Sequence, residues 1–328
     1  TPTDSRWFQG TADAVRRNLR FMMQMRGDLV MILAGDHLYR MNYQNMLRDH
    51  VESGADITLS VLPCSEKEIA DFGAVRVDRT GRVVEFREKP KTAEARKGMK
   101  AGAKLLERSG ADTSKPYLAS MGIYLFSKEA LERALDNDLT DFGHHVIPQA
   151  LSSFKVQAHF FNGYWRDIGT IRSFYDAHLD MTRLNPPFDF YDQSWPILTR
   201  PRYLPGSRLS GCRFNRSILA GGAIVSDSSI EQSVVGIRTR MVKATVRRSL
   251  IMGADEEPPP GPRGAPPLGI GEGSLIQDAI IDLNARIGRN VRIQNKKKLR
   301  EAEGDGWVIR DGIVVVPKAG IIPDGTAI

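Results

Sequence analysis

One periodicity restricts the fold of this chain more than any other feature. Cys212, Ile218, Ile224 and Ile230 fall six residues apart, and Leu275, Ile281, Ile287 and Ile293 repeat the spacing, with Gly288 behind Ile287. A hexapeptide period with one aliphatic residue per side is the signature of a parallel β-helix, a triangular coil that turns one aliphatic side chain inward on each face. Alternating aliphatics in an ordinary sheet match such a period once or twice, but two series of four set that explanation aside. The proline-rich run at 258–267 interrupts the period and reads as a loop thrown out of the coil.

Asn185-Pro186-Pro187 separates the coil from a first half with a different grammar. Leu29-Val30-Met31-Ile32-Leu33 is a run of large apolar residues closed by Ala34-Gly35-Asp36, which predicts a strand buried on both faces, as in a parallel sheet. A helix is expected over 11–26, with Thr11 as N-cap, Val15, Leu19 and Met22 on one face and Gly27 as the stop. A second helix over 43–53, closed by Gly54, and a strand over 56–62 continue an alternation that argues for a doubly wound α/β domain. A hairpin follows, with strands at 74–78 and 82–87 around Asp78-Arg79-Thr80-Gly81. Residues 91–116 are polar and lysine-rich and read as a mobile connection with some helix. Strands at 117–126 and 156–161 and helices at 128–135 and 171–183 complete the half. The expected organisation is a first domain over 1–184, a linker over 185–204 and the coil over 205–328.

Composition narrows the classes of function. The 46 Lys and Arg against 39 Asp and Glu give a charge of +7, which suits anionic small molecules. The basic residues are scattered without interleaved aromatics, which argues against nucleic acid as partner. Cys64 and Cys212 form neither a disulfide framework nor a zinc spacing, which points to a reducing compartment. No run approaches membrane-spanning length and no signal peptide is visible, so the expectation is a protein of the cytoplasm or, second, of a plastid stroma.

Five stretches of the first half carry chemistry. They are Trp7-Phe8-Gln9-Gly10-Thr11-Ala12-Asp13-Ala14-Val15, Ala34-Gly35-Asp36-His37, Phe86-Arg87-Glu88-Lys89-Pro90, Ser120-Met121-Gly122-Ile123-Tyr124, and Gly163-Tyr164-Trp165-Arg166-Asp167-Ile168-Gly169-Thr170. Asp36 closes a strand at the end where open α/β sheets bind ligands; taken alone, it reads first as a cap of the following turn. In this order, ahead of a hexapeptide coil, the set closely resembles the ADP-glucose pyrophosphorylase (glucose-1-phosphate adenylyltransferase) family, over nearly the whole chain.

The resemblance implies a doubly wound mixed sheet of the nucleotidyltransferase type followed by a left-handed parallel β-helix. It implies that ATP and α-D-glucose 1-phosphate give ADP-glucose and pyrophosphate in glycogen or starch synthesis, with Mg²⁺ as cofactor. Asp36 and Asp167 match the family's metal-binding aspartates, Asp36 being the catalytic residue, and two carboxylates suit an ion that completes its shell with phosphate oxygens. Gln9, Gly10 and Thr11 fall at the nucleotide. Phe8 stands beside them where bacterial members have tyrosine, so any hydroxyl contact made there is lost. Glu88 and Lys89 match the pair that holds the sugar phosphate, the carboxylate accepting from hydroxyls and the ammonium meeting the phosphate; Gly73 and Ser120 fit the same pocket. Trp165 is a wall of the sugar site or a core residue. Lys318 falls where plant and cyanobacterial members bind a phosphorylated activator, or is a surface lysine. His144-His145 is a poor metal pair because adjacent side chains point apart, and Lys296-Lys297-Lys298 reads as a solvated face. Family members assemble as homo- or heterotetramers.

Family members also carry a glycine-rich loop with an arginine well upstream of the first motif, and this sequence, which begins at Thr1, has none. The expectation is that residues 1–328 are N-terminally incomplete and alone make little ADP-glucose, because backbone N–H groups of such a loop orient the triphosphate. The alternatives are a pyrophosphorylase for another base or sugar, a non-catalytic regulatory subunit of the same enzyme, and an acyltransferase of the hexapeptide-coil kind, for which the coil lacks an evident histidine.

Overall fold

Tyr117–Ser127 is the strand on which the first half is assembled, and all but two of its residues are buried. The computed structural model describes residues 7–258 and 260–328; Pro259, in the proline-rich loop, lies outside them. Among the described residues the first half contains strands β1 (Leu29–Ile32), β2 (His37–Tyr39), β3 (Ile57–Cys64), β4 (Ala74–Val77), β5 (Val83–Arg87), β6 (Tyr117–Ser127), β7 (Val156–Phe160) and β8 (Trp165–Asp167). Six of them form one sheet in the order β5-β4-β6-β3-β7, with β1 also on β6, while β2 and β8 form a separate pair.

The sheet is mixed, as the resemblance implies, yet the strand that suggested it behaves differently. β1 is half-buried rather than enclosed on both faces, and it runs antiparallel to β6, with Leu29 opposite Ser127 and Ile32 opposite Tyr124. An apolar run encodes burial but not direction. Of the pairings in this sheet, β3 with β7 is the parallel one.

Local chemistry explains the element ends. Gly54, at φ 56°, closes helix Tyr43–Ser53, which Asn42 caps by accepting from the Gln44 N–H. Helix Thr11–Gln24 departs from expectation at both ends. Gly10 holds the N-cap position, Thr11 is the first helical residue, and the helix stops at Met25, ahead of Gly27. The segment 91–116 is packed rather than mobile: it holds helices Ala93–Arg96 and Ala103–Arg108, and Met99 and Leu106 are buried. The Arg87 guanidinium fixes it by donating to the carbonyls of Ala95 and Lys97, at 2.8 and 3.1 Å.

The second half is a coil of three sheets, parallel from turn to turn. Its early turns repeat every sixteen residues, with Val225 beside Met241, Ile230 beside Val246 and Val235 beside Ile251. These six side chains fill the interior. The period is therefore five, five, six rather than a strict six, and Ile224 stands one residue away from the inward Val225, half-exposed. Later the inward positions are Ile276, Ile281, Ile287 and Ile293, so three of the four expected there hold and Leu275 yields to its neighbour. Serines brace the corners. Ser233 Oγ accepts the Ser249 N–H at 3.1 Å, and Ser249 Oγ accepts the Ala279 N–H at 3.2 Å one turn on.

By contacts the chain divides into two compact units. One holds the chain up to Gly35 with Tyr39–Gly163, and the other holds Asp36–Leu38 with Tyr164–Ile328. The second takes in helix Ile171–Asp180 because Phe174, Tyr175 and Leu179 pack with Leu250, Ile280 and Ile313 of the coil. No helix among the described residues is long and apolar enough to cross a membrane.

Candidate active site

In the first unit the chain places Glu88 just past the end of β5, where the backbone leaves the sheet. Its carboxylate is wedged between two glycines: a β-carbon on Gly73 or on Gly143 would come within 2.9 Å of Glu88 Oε2. Gly73 also faces the Phe86 ring, which a β-carbon would meet at 2.4 Å. At Gly143 the carboxylate is the nearest obstacle to a side chain, whereas at Gly73 the Phe86 ring is nearer still. Burial raises the Glu88 carboxyl above its ordinary range and the Asp141 charge adds to the rise, while His144 and Lys89 pull the other way.

Ser120 of β6 pairs with the Gly73 backbone, and Tyr124 of the same strand lies in the field of this carboxylate. Ser120 is buried, its N–H donates to the Gly73 carbonyl at 2.8 Å, and its Oγ accepts from the Gly122 N–H at 3.3 Å. Tyr124 is buried against Phe142, ring centroids 5.4 Å apart, and burial holds its hydroxyl protonated well above the ordinary range. Lys89 is exposed, its backbone in the left-handed region at φ 43° and its N–H bonded to the Phe72 carbonyl. The structure thus brings Gly73, Glu88 and Ser120 together, with Lys89 next in the chain.

The stretch assigned to the nucleotide meets the same turn from the other side. The Ala12 N–H donates to the Thr140 carbonyl at 2.9 Å, and a β-carbon on Gly10 would strike that carbonyl oxygen at 2.3 Å. Thr11 Oγ1 donates to Asp141 Oδ2 and accepts from the Phe142 N–H, both at 3.2 Å, which is why it does not cap its own helix. Gln9 is exposed, its N–H held by Asp13 Oδ2 at 2.9 Å. Phe8 is half-exposed with the Arg17 guanidinium 5.7 Å from its ring centre.

Asp141, Gly143, His144 and Tyr124 are the residues that sequence reasoning missed as a group. Asp141 Oδ1 accepts the His144 N–H at 2.8 Å and so fixes the π-helical turn Phe142–Val146. The signal was Thr140-Asp141-Phe142-Gly143, a polar cap and a glycine between two apolar elements, and only the fold shows that it faces Glu88.

The second unit holds the paired aspartates. β2 and β8 bring them side by side, with the Ile168 N–H donating to the Asp36 carbonyl at 2.9 Å. The Gly169 N–H donates to Asp167 Oδ1 at 2.8 Å. Both carboxylates face the Gly169 α-carbon: a β-carbon there would lie 3.0 Å from Asp36 Oδ2 and 3.1 Å from Asp167 Oδ1. Thr170 follows as N-cap of helix Ile171–Asp180 in a capping box with Ser173. His37 Nε2 stands 3.7 Å from Asp36 Oδ1, and the Trp165 ring meets the His37 ring edge-on at 5.0 Å. Trp165 is half-buried in this contact. Among the described residues no three His, Cys, Asp or Glu side chains converge, so the donor set is two hard carboxylate oxygens. That set fits a divalent ion that takes its remaining ligands from water and substrate phosphate.

Lys318 lies in the coil and is paired: Nζ is 3.2 Å from Asp255 Oδ2, whose carboxyl Asn284 and Lys318 together hold below the ordinary range.

Comparison with known families agrees with both halves. The family model described as nucleotidyl transferase matches residues 2–183. The one described as the GLGC left-handed parallel beta-helix domain matches residues 202–327.

Proposed function

Because the chain belongs to the nucleotidyl transferase family, we propose that it serves as an ADP-glucose pyrophosphorylase, forming ADP-glucose and pyrophosphate from ATP and α-D-glucose 1-phosphate. The observation that carries the sugar side of this reading is Glu88, a half-buried carboxylate lodged between Gly73 and Gly143, with Ser120 bonded to the Gly73 carbonyl. Such a group accepts from neutral hydroxyls, and Lys89 adjoins it as a point charge for the phosphate. The beta-helix match at 202–327 supports the ADP-glucose type among sugar nucleotides.

The reaction needs no covalent residue. A phosphate oxygen of the sugar phosphate attacks the α-phosphorus of ATP, the bond to the β-phosphate oxygen breaks, and pyrophosphate leaves with the electron pair. The protein contributes positioning and charge stabilisation. Asp36 and Asp167 would hold Mg²⁺, which when bound offsets negative charge on the phosphates. Gln9, Gly10 and Thr11 orient the nucleotide, and the Thr11–Asp141 hydrogen bond ties that stretch to the turn beside Glu88. An effector role for Lys318 requires an anion to compete with Asp255 for its ammonium.

The test is product formation with competing bases and sugars. ADP-glucose should form from ATP and glucose 1-phosphate, and Lys89→Ala should raise the KM for glucose 1-phosphate about ten- to a hundredfold, the worth of one charge-assisted contact. Turnover with GTP or mannose 1-phosphate alongside failure with ATP and glucose 1-phosphate would reject the reading.

A further inference from the structure

Asp13, Arg16 and Arg17 fall at i, i+3 and i+4 in helix Thr11–Gln24, so their side chains share one face of it. The reaction gives none of them a role. Yet Asp13 is buried and the two arginines half-buried, where a charged side chain persists only with partners.

Asp13 commits both carboxylate oxygens. Its Oδ2 accepts the Gln9 N–H at 2.9 Å, and its Oδ1 accepts from Arg17 Nε at 3.1 Å, with Arg16 Nη1 3.8 Å away. The Gln9 N–H and the Arg17 guanidinium hold the carboxyl below its ordinary range, so the ionised form is the one that grips Gln9.

Arg16 reaches the other way. Its Nε donates to the Leu135 carbonyl at 3.1 Å, and its Nη2 donates to Asn137 Oδ1 at 3.3 Å and to the Leu139 carbonyl. Asn137 folds that loop on itself, its Oδ1 also accepting the Leu139 N–H at 3.0 Å. A guanidinium committed to three acceptors of one loop acts on the site through that loop rather than by touching substrate. The loop runs straight into Thr140, whose carbonyl receives the Ala12 and Asp13 N–H groups at 2.9 and 3.3 Å. Next comes Asp141, which accepts from Thr11 and lies in the field of Glu88.

The nucleotide stretch and the turn beside Glu88 are thus 130 residues apart in the chain, counted from Thr11 to Asp141, and one helix face grips both. In-line attack tolerates little error between them, since a misplacement of about 1 Å costs on the order of a hundredfold. We propose that Asp13 and Arg16 are positioning residues that form a clamp. Asp13 sets the backbone of residues 9–11, Arg16 sets the loop that delivers Thr140 and Asp141 to Glu88, and the helical turn between them keeps the two substrate sites in register. The clamp's role in the reaction rests on the proposed assignment of these sites to nucleotide and sugar phosphate.

The experiment is residue-resolved amide exchange on the full chain without ligand, followed by titration with ATP and Mg²⁺ and, separately, with glucose 1-phosphate. Asp13→Ala should speed exchange about tenfold at Gln9, its own end, and also at Phe142, the far end. Arg16→Ala should do so at Leu139 and at Gln9, while strands β3 and β6 keep wild-type rates. Asp13→Asn, whose amide oxygen can still accept the Gln9 N–H, should recover most of the loss at Gln9. In the titrations Arg16→Ala should weaken both ligands about tenfold, whereas Arg20→Ala, the same loss of charge one turn further along the helix, leaves both unchanged. Acceleration confined to the near end in both alanine variants would show two separate local supports, and acceleration spread through the sheet would show an ordinary folding defect; either overturns the clamp. So would wild-type affinities in Arg16→Ala. A wild-type chain that binds neither ligand would reject the proposed reaction, and the exchange rates alone would then decide the clamp.

Discussion

Replacing Gly169 with alanine tests the metal reading without touching either aspartate. The added β-carbon would sit 3.0 Å from Asp36 Oδ2 and 3.1 Å from Asp167 Oδ1, inside ordinary contact distance, so each carboxylate must retreat by about 0.3–0.4 Å. Neither retreat threatens the fold. Asp36 is largely exposed and its side chain can swing, and the Gly169 N–H still donates to Asp167. The cost falls on the ion, because Mg²⁺ requires oxygen ligands at about 2.0–2.1 Å in near-octahedral geometry. Displacing groups that orient a metal site usually lowers affinity about 10–100-fold, which corresponds to roughly 1.4–2.7 kcal/mol. Binding of Mn²⁺ followed by paramagnetic resonance, with Mg²⁺ as competitor, should show that loss, while the thermal midpoint stays within about 2 °C of wild type. Wild-type ion affinity in Gly169→Ala, with the fold intact, would refute the shared site. A matched collapse of midpoint and affinity would show instead that Gly169 is needed for folding.

Three further outcomes follow from the same geometry. Burial raises the Glu88 carboxyl, so the native state holds a proton there that the unfolded chain releases, and stability falls as pH rises from the ordinary carboxylate value through the raised one; Glu88→Gln should flatten that part of the melting profile, be more stable than wild type at neutral pH, and bind glucose 1-phosphate more weakly, and an unchanged profile would mean that Glu88 is not the group responsible. Ser249→Ala removes the acceptor of the buried Ala279 N–H, so urea denaturation should show a loss of about 1–3 kcal/mol, whereas a loss below about 0.5 kcal/mol would show that the corner serines are dispensable. Tyr175→Phe deletes the hydroxyl that donates to the Arg248 carbonyl and to Asp278, which should cost about 1–3 kcal/mol and speed amide exchange in helix Ile171–Asp180; exchange at the wild-type rate would show that apolar packing alone holds the helix on the coil.

What the sequence reveals and what it hides follows from which interactions are local. The helix Tyr43–Ser53 with its Gly54 stop and the hairpin at Asp78–Gly81 were legible because their determinants lie within a few residues. Gly81 takes φ 85°, and Asp78 Oδ1 accepts from the N–H groups of Thr80 and Arg82. Strand direction is not local. β1 reads as a buried parallel strand from composition, yet its partner is β6, almost a hundred residues away, running the other way. The coil shows the intermediate case: aliphatic spacing announces the architecture, but six is the longest side of its early turns, and the five-five-six count that places Val225 rather than Ile224 inside depends on corner geometry.

The site divides along the same line. Asp36 stood out because it closes an apolar run, and Glu88, Lys89 and Asp167 because their motifs, taken in order, resemble those of a known family. Asp141 and Gly143 did not, because their significance is an arrangement in space. Asp141 ties together Thr11, the His144 backbone and the field at Glu88, and of these only His144 is its neighbour in the chain. The two glycines that flank the carboxylate make the same point more sharply. Gly73 and Gly143 are seventy residues apart, neither needs the left-handed backbone that makes a glycine conspicuous, and a β-carbon on either would crowd one oxygen, Glu88 Oε2, with the Phe86 ring also in the way at Gly73. A side chain at Gly143 would push on the carboxylate, and one at Gly73 on both the carboxylate and the Phe86 ring. Selection for an empty space leaves no periodicity and no charge pattern, so this part of the site becomes visible only when the fold brings both α-carbons to the same atom.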